Sequence, residues 1–120
     1  KVEHAYLGVR IQTISQELAE NVQLPVNEGV LVAEVTDGSP AADSGLTGGE
    51  RDVIVDGVNF IVGGDIVTHV DGTPVTESQE LVDVVASKRP GTEIVLDVVR
   101  DDGTTATLTI ELGRRPPSGG

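Results

Sequence analysis

Apolar positions along this chain fall into short runs, mostly at a period of two, broken by Asp-Gly, Gly-Gly and proline-containing segments. Leu7, Val9 and Ile11 alternate with Gly8, Arg10 and Gln12, which predicts an opening strand with one buried face. Ser15 is placed to cap a short helix over residues 16–22, which Pro25 stops. The run Val30-Leu31-Val32-Ala33-Glu34-Val35 reads as a second, mostly buried strand. In Ser39-Pro40-Ala41-Ala42-Asp43-Ser44-Gly45, serine caps, proline takes the first helical position and glycine supplies a left-handed exit.

Two apolar runs, Val53-Ile54-Val55 and residues 58–62, are joined by Asp56-Gly57, the signature of a tight hairpin. Gly63-Gly64 ends it, and residues 65–70 form another strand before Asp71-Gly72. The best helix spans residues 77–88, with Thr76 and Gln79 spaced as a capping box and Arg89-Pro90-Gly91 as its stop. Two strands, 93–100 and 105–112, close the pattern around Asp101-Asp102-Gly103. The expected class is α+β: a partly open β-barrel or sandwich of five to seven short strands with two to three short helices. Residues 1–113 form one domain in this reading, and residues 114–120 form a linker-like tail.

Composition sharpens this picture. The 20 valines outnumber 9 leucines and 7 isoleucines, and β-branched side chains favour pleated surfaces. At 120 residues, one core is expected rather than two. Twenty acidic side chains against eight basic ones give a formal charge of −12, a field that repels phosphate backbones and anionic headgroups. Nucleic acid is therefore not an expected partner. Cysteine is absent, which removes disulfides and thiolate chemistry. No apolar run approaches the roughly 18 residues that span a bilayer. A chain that opens on Lys1 and holds no methionine is expected to be a piece of a longer polypeptide or a processed product.

A search for reactive constellations turns up no site within these residues. The serines (15, 39, 44, 78, 87 and 118) lie outside any Gly-x-Ser-x-Gly or Gly-Asp-Ser-Gly-Gly frame, and caps or helix surface account for most of them. His4 and His69 are isolated, so no metal-ligand spacing arises, and no cofactor is expected. Neither Gly48-Gly49 nor Gly63-Gly64 leads into the lysine of a phosphate loop.

One stretch carries a binding mechanism instead. Tyr6-Leu7-Gly8-Val9 places a small residue at a turn before an alternating strand, a form able to offer consecutive backbone N–H groups to an anion beside an apolar pocket. It is followed, in order, by Leu18-Ala19-Glu20, Gly29-Val30-Leu31-Val32, Ser39-Pro40-Ala41-Ala42 with Gly45-Leu46, Gly64-Asp65-Ile66-Val67, Val70-Asp71-Gly72 and Arg89-Pro90-Gly91. That series resembles the PDZ domain over residues 4–113, in particular the circularly permuted bacterial type that follows the trypsin-like domain of HtrA/Deg serine proteases. The resemblance implies a peptide-binding module without catalysis of its own. Its partners would be protein C-termini and the parent protease domain, in an extracytoplasmic setting, with any homo-oligomer formed through the parent chain. Carried over by position, the carboxylate loop falls on Tyr6, Leu7, Gly8 and Val9, and Leu7, Val9 and Ile11 line the pocket. Ser78, Val82 and Val85, at spacings of four and three, close the groove from the helix. The same module in a membrane metalloprotease or a C-terminal-processing protease, or one serving as an interdomain contact, is the alternative. The segment at residues 50–62 departs from the compact family pattern and is expected to extend the sheet or touch a neighbouring domain.

Overall fold

A computed structural model describes residues 5–114; His4, Ser118 and the tail from residue 115 lie outside the described residues. Ten strands and three helices follow in order: β1 Ala5–Tyr6, β2 Val9–Thr13, α1 Gln16–Asn21, β3 Val30–Val35, α2 Pro40–Ser44, β4 Arg51–Val55, β5 Val58–Val62, β6 Ile66–Val70, β7 Thr73–Pro74, α3 Ser78–Ser87, β8 Glu93–Val99, β9 Thr105–Glu111 and β10 Gly113–Arg114. Seven strands have five or more residues, and the other three are two-residue pairings. The main sheet runs β2-β3-β6-β8-β9, with β7 attached to β6, and every pairing in it is antiparallel. This leaves β2 at one edge. The two ends of the described chain meet where β1 pairs with β10.

The buried surface divides in two. One cluster gathers Leu7, Val30, Val32, Val67, Leu81, Ile94, Leu96, Ile110 and Leu112 between the main sheet and α3. The other places Ile14, Leu18, Ala19 and Leu31 with Ile66 and the hairpin residues Val55, Phe60 and Val62. The hairpin β4-β5 is a separate two-stranded sheet and does not extend the main ladder. Its turn fits the sequence: Asp56 and Gly57 take φ of 51° and 79°, the left-handed pair that a two-residue hairpin loop requires. Val53, Val55, Phe60 and Val62 share one face, which packs into the second cluster, while Val58 beside the turn is half exposed. The Gln12 side chain ties the hairpin to β2, donating to the Asn59 carbonyl at 2.9 Å and accepting from the Ile61 N–H at 2.9 Å.

Asp65 is 2% exposed and accepts from Arg100 Nη1 at 3.0 Å and from the Thr47 N–H at 3.0 Å. A buried carboxylate with both a cation and an amide donor fastens the 47–49 loop to the sheet.

Two differences from the sequence reading have a local physical cause. The first long strand begins at Val9, because Gly8 at φ 86° interrupts the alternation and turns Leu7-Gly8 into a loop. The long helix starts one residue later than expected, with Glu77 and Glu80 at its N-terminus in place of Thr76 and Gln79. Glu80 accepts from the N–H groups of Thr76 at 2.7 Å and Glu77 at 3.1 Å. Those bonds favour its ionised form and hold its carboxyl below the ordinary glutamate value.

Candidate functional site

The unpaired edge of β2 faces α3 across a cleft of about 520 Å³. Ala5, Tyr6, Leu7, Gly8, Val9 and Ile11 form one wall, Leu81, Val82, Val85 and Ala86 the other, and Thr36 closes the loop end. No lining residue is charged. Val82 stands out as an apolar side chain left 46% exposed, whereas its neighbour Leu81 is 1% exposed and belongs to the core.

The loop at the cleft's end owes its shape to Gly8. Its φ of 86° is strained for any side chain, and a Cβ there would collide with Ser39. Ser39 is itself buried and fully engaged: it donates to the Thr36 carbonyl at 2.6 Å and accepts from the Ala42 N–H at 3.2 Å, capping α2. The Leu7 carbonyl accepts from Ala41 N–H at 3.0 Å and the Gly8 carbonyl from Thr36 N–H at 2.8 Å. Across a planar trans peptide, N–H points opposite to C=O, so the N–H groups of Gly8 and Val9 are turned away from α2 and β3. Arg10, on the other face of β2, has a 76% exposed side chain lying 3.9 Å from Glu34.

The structure brings seven of the eight sequence-predicted residues to this cleft: Tyr6, Leu7, Gly8, Val9, Ile11, Val82 and Val85. Ser78 is not among the lining residues. It sits beyond them, where its N–H donates to Thr13 Oγ1 at 2.9 Å and its hydroxyl accepts from Thr13 Oγ1 at 3.2 Å. Sequence reasoning missed Ala86, although it lies one helical turn from Val82, and it takes Leu81 as core, where the structure keeps it at 1% exposure. It also missed Ala5 and Thr36, which no local spacing marks.

Among the described residues, the other serine hydroxyls are occupied by backbone partners. Ser15 accepts from Leu18 N–H at 3.0 Å, while Ser44 and Ser87 each donate to a carbonyl at 2.7 Å. Among the described residues, no group of three or more His, Asp or Glu is placed to hold a metal ion. No described helix is long and apolar enough to cross a membrane.

Fold and cleft together define a small α+β domain whose sheet edge and helix enclose an aliphatic groove. The family described as the PDZ domain matches residues 5–112, and the chain belongs to that family. A probable periplasmic serine endoprotease DegP-like from Pseudomonas fulva (strain 12-X) is 34% identical over 120 residues, which is 100% of this chain and 22% of that protein. Its namesake from Halomonas elongata is 32% identical over 117 residues, covering 98% of this chain and 21% of the relative. The chain thus spans about a fifth of the length of the curated relatives it matches. Among solved structures, the HtrA-type protease AlgW with decapeptide aligns with a TM-score of 0.73 at 31% identity, over 97% of this chain and 31% of that one. The HtrA3 PDZ domain bound to a phage-derived ligand (FGRWV) gives 0.69 at 25% identity, over 95% of this chain and 89% of that one.

Proposed function

We propose that this domain captures the C-terminal residues of proteins in the cleft between β2 and α3. The end carboxylate would lie on the N–H groups of Gly8 and Val9, with Tyr6 and Leu7 shaping the loop. The last side chain would enter the pocket among Leu7, Val9, Ile11, Val82 and Val85. The peptide adds an antiparallel strand to the open edge of β2. The observation that carries this reading is an aliphatic cleft with an exposed Val82 on one wall and, at its end, a glycine loop whose Leu7 and Gly8 carbonyls are both drawn to the other side.

The parent protein, in this reading, is an extracytoplasmic HtrA-like serine endopeptidase, and the domain recruits substrate to it or shifts it towards its active state. Support comes from the DegP-like relatives named as periplasmic and from two structural neighbours solved with peptides. A titration of one apolar peptide in free-acid and amidated forms tests the site. A hydrogen bond to a charged group contributes roughly 1.5–3 kcal/mol, so amidation is expected to weaken binding about ten-fold or more. Equal affinities for the two forms would overturn the carboxylate site.

A further inference from the structure

The main sheet has a second open edge. β9 ends it on the side opposite β2, with no strand beyond it among the described residues. The Arg100 N–H donates to the Thr104 carbonyl at 2.7 Å and the Leu112 N–H to the Thr92 carbonyl at 2.8 Å, so the even-numbered residues of β9 face β8. The N–H and C=O groups of Thr105, Thr107, Thr109 and Glu111 therefore point outwards, and none of them bonds to a described residue. A cleft of about 570 Å³ lies against this edge, lined by Thr109, Ile110 and Glu111 together with Tyr6, Pro40 and Asp43. Side chains alternate between the two faces of a strand, so three consecutive lining residues mark the edge itself. Asp43 and Glu111 are exposed, and no basic residue lines the cleft. Neither carboxylate has an ion pair or hydrogen bond among the described residues.

We propose that this cleft takes an extended segment of another protein, added as a strand beyond β9, with an arginine or lysine side chain held by Asp43 and Glu111. Thr109 and Glu111 each offer one outward donor and one outward acceptor, two residues apart, the spacing that an added strand uses. The seven residues of β9 contain no proline or lysine, which commonly guard an exposed edge against pairing. Charge selects the occupant. Two carboxylates on a domain of charge −12 favour a cation and repel an acidic segment. A second copy of this chain would bring more negative charge to Glu111, and is disfavoured for that reason. Tyr6 adds an aromatic ring to the lining, a surface on which a guanidinium can stack. The site is separate from the groove between β2 and α3, since the two linings share only Tyr6.

The probe is a short peptide of alternating valine and threonine around a central arginine, acetylated and amidated so that neither end is charged. Titration followed by nuclear magnetic resonance should move the amide signals of Asp43, Thr109 and Glu111. Affinity should exceed that of the glutamine-centred peptide by about three- to five-fold, as expected for an exposed ion pair. Asp43→Asn combined with Glu111→Gln should remove that preference. Glu50→Gln combined with Asp52→Asn makes the same change of net charge at the hairpin and should keep it. An added strand turns only alternate N–H groups to its neighbour. Methylating alternate amide nitrogens of the probe in one phase should therefore abolish binding, and in the other should leave it within about two-fold. Equal losses in the two double variants, or methylation effects that ignore phase, would mean attraction by the overall field and would overturn the proposal. So would the absence of shifts at the three amides. Shifts of the same amides with protein concentration, in the peptide-free chain, would give the edge to a second copy and overturn it as well.

Discussion

At the scale of single residues, position 8 concentrates the most constraint. Gly8→Val asks a β-branched side chain to adopt φ 86° and to share space with buried Ser39. Both demands push the loop out of shape, so peptide affinity should fall at least ten-fold and the melting temperature should drop with it. Retained affinity in a titration would show that the loop's geometry is not what binds. Val82 offers the contrasting case. Its side chain is 46% exposed, so Val82→Glu should leave thermal unfolding nearly unchanged. Losing one apolar contact worth roughly 1.5–3 kcal/mol should still weaken binding about ten-fold or more. The sequence made Gly8, Val9 and Val82 legible because their signals are local: a glycine at a strand entry and residues one helical turn apart. It could not reveal Ser78's partner, since Thr13 lies 65 positions away and nothing in the spacing of either links them.

At the scale of elements, caps and turns were read nearly to the residue wherever the chemistry is short-range. Ser15 and Ser39 cap α1 and α2 as their sequences suggest, and Asp56-Gly57 turns the hairpin. The one-residue slip at α3 has a physical cause. Thr76 with Gln79 and Glu77 with Glu80 have the same spacing, and the sequence alone does not show that a glutamate bonds the amides more strongly. Where the hairpin goes was equally hidden, because its packing is decided by residues far from it. Phe60, 6% exposed, fills the second cluster with Leu18 and Ile66, so Phe60→Ala should cost roughly 3–5 kcal/mol in urea unfolding. The groove belongs to the other cluster, and affinity measured well below the midpoint should therefore hold. A parallel loss of affinity would mean that the Gln12 bridge transmits the hairpin's state to β2.

At the scale of the whole molecule, the charge of −12 and the function proposed for the cleft pull in opposite directions. An anionic chain end approaches a domain with 20 acidic side chains, yet no charged residue lines the cleft that would receive it. Arg10, the nearest cation in sequence, faces Glu34 on the other side of β2. Attraction must come from backbone amides at hydrogen-bond range, which salt barely screens, while the repulsion comes from exposed carboxylates, which salt screens over about 10 Å at 0.1 M. The two contributions therefore separate by ionic strength. For an apolar free-acid peptide, raising salt from about 10 mM to 150 mM should leave affinity unchanged or raise it up to a few-fold, with the gain in the association rate. The amidated peptide, carrying no end charge, should bind weakly and show no such rise. A free-acid affinity that falls steeply with salt would mean that a cation, rather than the Gly8 loop, holds the carboxylate.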